Sequence, residues 1–271
     1  MDLPVKVDLS ESGNAIIKDL GLPAAKQFGL ALGNVFGLLH TATLPLKFIN
    51  TIGNTWYENA IAKRNIENLA DKMKDIPEEK IKEVEPEIAI PILERLSYTS
   101  NSDLANAFAN LLANASNKDK VDLIHPGFIN KLEDLAPDEA RILGELKTLF
   151  NIPYIHYRVK DIAGNSKVLS LNLTGIELSL GLSIKNMAIH LDNLESLNIL
   201  KDEKGSFMTN EEVYNELKEQ YSESEKRYKD KIDKKEYGDG MSIIDVQKSF
   251  YSVTPLGRTF IEACTDSNVK I

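Results

Sequence analysis

A chain of 271 residues, 42% hydrophobic and 27% charged, can bury a sizeable core and has room for two domains. A net charge of −9 excludes a general attraction of the whole surface to nucleic acid or anionic lipid. The one cysteine, Cys264, excludes an intramolecular disulfide and a thiolate metal cluster, which fits a reducing cytoplasm.

Residues 1–20 read as a leader ending in a short amphipathic turn around Ile16, Ile17 and Leu20. Its mixed charges do not make a secretory signal. Gly21-Leu22-Pro23 interrupts the chain. The segment 27–46 then carries no formal charge with His40 neutral. Ala25, Gly29, Gly33, Gly37 and Thr41 recur at every fourth residue, which at helical pitch makes a ridge of small side chains that admits another helix at close range. The run has the length of a bilayer span, but three glycines, Asn34, His40 and Pro45 dilute it. Two readings stay open: a helix buried in the protein's own core, or a helix that lies on or enters a membrane under some condition. Trp56 and Tyr57 suit either a core or a lipid–water interface.

Further helices follow. Ile61, Ile66, Leu69, Met73 and Ile76 stripe a surface helix over 58–82. Pro86 to Ala115 reads as two helices divided by the polar turn Tyr98 to Ser102. Alanines at 105, 107, 109 and 113 predict close packing of the second on more than one side. His125-Pro126 and Ala136-Pro137-Asp138-Glu139 open two more.

At Asn151 the pattern changes. Tyr154 to Val159 and Val168 to Leu173 predict a hairpin around Ala163-Gly164-Asn165. A short helix near Gly181, a longer one from Ile184 to Leu197, a strand at Asn198 to Leu200, a turn, a strand at Phe250 to Val253 and a last helix from Thr254 follow. That order resembles a winged helix-turn-helix. The expected fold is mainly α: a leader (1–20), an all-helical domain (21–150), and a winged-helix-like domain with a small β-hairpin and wing (151–271). The wing is interrupted by a charged helical insertion at 206–249.

Catalytic chemistry is hard to find. His40, His125, His156 and His190 lack the spacing of a zinc helix. There is no nucleophile elbow, phosphate loop or dinucleotide fingerprint. The expectation is no enzyme, no cofactor and no metal. Two places could meet a phosphate or a nucleic acid. The helix 184–197 sets Lys185 and Asn186, with Asn193, against Asp192 and Glu195, a poor face for DNA that favours protein contact or dimerisation. The insertion carries Lys226, Arg227, Lys229, Lys231, Lys234 and Lys235, read first as a solvated helix and otherwise as an anion or acidic-lipid site.

Several phrases together resemble the Abi-alpha family, named for abortive infection, the bacterial defence in which an infected cell halts or dies. They are Pro86 to Glu94, Leu104 to Ser116, His125-Pro126-Gly127-Phe128, Leu135 to Ala140, and Thr254 to Cys264. The resemblance implies phage defence and transfers no catalytic residues. The expected protein is a cytoplasmic homo-oligomer, conditionally at the inner membrane, with a phage or host protein as trigger and nucleic acid as the less favoured partner.

Overall fold

The structure is a computed structural model and describes residues 30–32 and 60–266. In chain order the helices are α1 (Ala60–Met73), α2 (Pro86–Tyr98), α3 (Ser102–Ala115), α4 (Gly127–Glu133) and α5 (Pro137–Leu146). Then come β1 (Asn151–Lys160), β2 (Ser166–Val168), α6 (Ile176–Ser179), α7 (Ile184–Ser196), β3 (Leu200–Asp202), α8 (Glu212–Gln220), α9 (Ser222–Asp233), β4 (Ile243–Val253) and α10 (Pro255–Cys264). The described chain is mainly helical, with one four-stranded antiparallel sheet. It divides into two compact units, Met1–Ala140 with Thr259–Ile271, and Arg141–Arg258.

In the first unit α3 is the hub. The Asn101 side chain caps it, accepting from the backbone N–H groups of Asp103 (3.0 Å) and Leu104 (2.9 Å). Every residue from Ala107 to Ala115 is buried, so the alanines that predicted close packing serve helices on several sides: α1, α2 and α4 all pack against it. Asparagines bind the frayed carbonyls of neighbouring helices. Asn65 donates to the carbonyls of Leu96 (2.8 Å) and Thr99 (2.9 Å). Asn110 and Asn114, one turn apart on α3, donate to the carbonyls of Cys264 (3.1 Å) and Ala263 (2.9 Å). Phe260 meets Phe128 edge to face at 5.2 Å. The helix expected over 58–82 runs only to Met73; Ile76 and Ile81 enter the core from the connection, which includes a 3-10 turn at Glu78–Lys80.

The second unit is built on the sheet, ordered β2-β1-β4-β3. The expected hairpin exists but is minor: β1 pairs with β2 over three residues and with β4 over ten, from Asn151↔Ser252 to Lys160↔Ile243. β4 therefore starts at Ile243, inside the segment assigned to the insertion. The remainder of that segment is not simply solvated. Tyr214, Leu217 and Tyr221 bury against Ile155, Tyr157 and Leu173 in a core of their own. The stripe recurs at helical spacing, but the surrounding Glu and Lys mask it. Tyr221 donates to the carboxyl of the fully buried Glu177 at 2.6 Å, and Thr174 donates to its other oxygen at 2.8 Å.

The phrase Thr254-Pro255-Leu256-Gly257-Arg258 opens the last helix and is held closely. The Thr254 hydroxyl accepts from the Gly257 N–H at 2.8 Å and caps α10, whose first residue is Pro255. A Cβ at Gly257 would lie 2.1 Å from the Ile199 carbonyl oxygen, so only glycine lets the helix pass there. The Arg258 guanidinium donates to the carbonyls of Leu146 (3.1 Å) and Lys147 (2.9 Å) and to that of Leu149, and stacks 4.4 Å above the Phe150 ring. It thereby ties down the carbonyls at and just beyond the C-terminal end of α5.

Candidate functional site

A surface open to a partner lies in the second unit, on α7 and the sheet face beside it. Gly181, at φ +65, makes the turn between α6 and α7. Met187, His190, Leu191 and Leu194 bury one face of α7. The other carries Ile184, Lys185, Asn186, Ile189 and Asp192, all exposed, with Ile189 at 64%. With Ile184 it gives this face two open apolar residues on one helix, five positions apart. Lys185 and Asp192 cancel, so the face holds none of the surplus positive charge that a phosphate backbone demands.

Beside α7 a cleft of about 710 Å³ runs over the sheet, within the range of small-ligand and peptide sites. Its floor is Tyr154, His156 and Arg158 of β1, at the two-residue period that puts them on one face, with Gln247 and Ser249 opposite on β4. Leu171, Phe207, Asp192 and Lys204 line it further.

The polar groups of this floor form a chain that fixes the state of its histidine. Lys160 pairs with Asp245 at 2.6 Å and holds the Asp245 carboxyl below its usual range. Gln247 donates its amide N–H to Asp245 at 3.2 Å, which turns the amide oxygen toward His156, 2.8 Å away. That oxygen can only accept, so His156 carries its proton on Nε2. Burial lowers the His156 pKa, which leaves a neutral ring with Nδ1 as a bare acceptor. Nδ1 is buried without a hydrogen-bond partner, as is Nε of Arg158 on the same strand face. Each such atom costs about 1–3 kcal/mol. Tyr154, whose hydroxyl donates to Asp202 at 2.9 Å, is pushed up to about 12, chiefly by burial. Cross-strand register brings these residues together; chain spacing alone does not.

The other proposed contacts fall differently. Lys226, Lys229, Lys231 and Lys235 each pair with a carboxylate, at Glu223 (2.8 Å), Glu225 (2.6 Å), Glu236 (3.8 Å) and Asp239 (3.1 Å). Arg227 donates to Ser224 at 2.8 Å, and Lys234 is exposed. Acids on α9 and just beyond it thus balance most of the cluster. Lys185 and Asn186 sit at the start of α7. Ala25, Gly29, Gly33, Gly37, Thr41, Trp56 and Tyr57 lie outside the described residues. Of the uncharged run, Leu30–Leu32 is described and helical: Ala31 and Leu32 are fully buried, Leu30 is exposed, and the Ala31 carbonyl accepts from the Val84 N–H at 2.9 Å.

Among the described residues no helix is long and apolar enough to cross a membrane. Nor does any group of three or more His, Cys, Asp or Glu among them come close enough to hold a metal ion. Cys264 is buried, which drives its thiol pKa upward and keeps the nucleophilic thiolate scarce. His125 accepts from the Gly127 N–H at 3.0 Å at the start of α4.

A family model described as abortive infection alpha matches residues 58–264. No curated protein and no solved structure matches the chain.

Proposed function

The chain belongs to the abortive infection alpha family, and from that premise we propose that it is a non-enzymatic antiphage effector whose second unit recognises a protein trigger of phage or host origin. The observation that carries this reading is the outer face of α7, where Ile189 stands 64% exposed among charges that cancel. A winged-helix-like reading of the unit is supported by its order of elements. α5, β1, α6, α7, β3 and β4 come in that order, with β2 after β1 and with α8 and α9 before β4; β4 lies between β1 and β3 in the sheet, and α7 takes the place of a recognition helix. On a balanced, apolar face such a helix suits a protein better than DNA.

The effector step rests on the uncharged run. The burial of Ala31 and Leu32 and the bond from Val84 favour a run stowed in the first unit of a resting, cytoplasmic protein. On triggering, the ridge Ala25, Gly29, Gly33, Gly37 and Thr41 is released and associates with the same ridge of other copies, with Trp56 and Tyr57 at the lipid boundary of the inner membrane.

Infected cells test both halves. Ile189→Asp should abolish protection while the purified protein remains folded. Gly33→Leu should abolish toxicity and leakage of liposomes exposed to the triggered protein. Full protection by both variants would overturn the proposal. Binding to DNA that weakens with salt and with Lys185→Glu would replace it with a nucleic-acid regulator.

A further inference from the structure

β4 is a long strand that is paired fully along one side only. It bonds to β1 over ten residues, but to β3 only at Tyr251, Ser252 and Val253. The phase of its backbone can be read from β1. Ile155 exchanges both backbone bonds with Leu173, at 3.1 and 2.8 Å, and the Tyr157 carbonyl accepts from the Leu169 N–H at 2.8 Å. Those two residues therefore turn their backbone groups away from β4. Tyr154, His156 and Arg158 turn theirs toward it, opposite Ser249, Gln247 and Asp245. By alternation, Ile244, Val246 and Lys248 direct their N–H and C=O groups outward. Phe250, next in phase, bears this out: its carbonyl accepts from the Glu203 N–H at 3.0 Å. Among the described residues, no backbone bond reaches Ile244, Val246 or Lys248 on that side.

Such an edge is a template for another strand, and its ends are apolar. Ile243 is 48% exposed at the start. Near the other end, the Met208 N–H donates to the Tyr214 hydroxyl at 2.9 Å, and that hydroxyl donates to the Ser249 carbonyl at 3.1 Å. This brings Phe207, 61% exposed, close to Ser249.

We infer that this edge pairs with the same edge of a second copy of the chain, antiparallel, about a two-fold axis through Val246. The register follows from the free groups. Val246 faces Val246 of the second copy and Ile244 faces Lys248, so the outward N–H and C=O of all three residues are satisfied. Asp245 then lies opposite Gln247, and no like charges oppose each other. Ile243 comes opposite Ser249, where Phe207 covers it. Moving the axis to Lys248 would set lysine against lysine and use the Phe250 carbonyl that Glu203 already occupies. Moving it to Ile244 would leave Lys248 without a partner strand. The interface is isologous, as two-fold dimers require, and it uses neither the glycine-spaced run nor the outer face of α7.

Sedimentation of the full chain between about 1 and 100 μM should show a monomer–dimer equilibrium. Val246→Pro removes the axial N–H on the side away from β1, where a strand tolerates proline. Phe207→Glu places a charge beside Ile243 of the copy. Each should weaken the dimer about tenfold or more with the circular dichroism spectrum unchanged, while Gly33→Leu should leave it intact. Val246→Cys should crosslink with a short bismaleimide, and Ile162→Cys, 94% exposed in the β1–β2 turn, should not. A monomer at every concentration overturns the inference. So does a dimer indifferent to both edge variants and refractory to crosslinking at position 246, as an edge meant for another protein's extended peptide would give.

Discussion

α3 and α7 are helices of nearly equal length, 14 and 13 residues, with opposite roles. α3 buries ten of its residues and α7 four. A helix buried all round has no side left for a partner, so its sequence answers to packing alone. A helix buried on one side keeps a face whose residues contribute little to folding. Exposed Ile184 and Ile189 lie on that face, where packing within the chain does not account for them. The contrast separates a scaffold from a surface that presents something.

Substitutions can break this contrast, and the largest effect belongs to the scaffold. Phe108→Ala on α3 should cost about 3–5 kcal/mol in chemical denaturation, because it empties a ring-sized space in the buried run Ala107 to Ala115. In the second unit Gly257→Ala comes next: a methyl group driven against the Ile199 carbonyl should cost about 1–3 kcal/mol or more. Thr254→Ala, which removes the cap of α10, should cost about 1 kcal/mol. Ile189→Asp on α7 should change stability by less than about 0.5 kcal/mol and yet abolish protection. A loss of several kcal/mol there would show that α7 is scaffold too.

A finer probe is pH. His156 titrates below its ordinary value in the folded chain. Between the two pKa values the unfolded chain holds more protons, so stability falls as pH drops below about 6.5 and levels off once both forms are protonated. Replacing His156 with Phe should flatten that part of the unfolding profile, below about pH 6.5.

Much of this was legible in the chain and some was not. Asn101, Pro137 and Thr254 announce helix starts because capping is local, and alanines at 105, 107, 109 and 113 announce a helix packed on several sides because helical pitch is fixed. The alternation Ile244, Asp245, Val246, Gln247 also signals a strand, yet the lysine-rich helix before it draws that stretch into the insertion. The cleft was beyond reach. His156 and Gln247 lie 91 positions apart and meet only through strand register, which one sequence does not specify.

Glu177 carries a historical implication. Its carboxyl is sealed from water and answered by Thr174 and by Tyr221, a residue that the insertion supplies. A lineage that shed the insertion would strand an acid in the interior. Loss of the segment and replacement of that glutamate should therefore have travelled together through descent, so relatives without the insertion should carry an uncharged side chain at the equivalent of position 177.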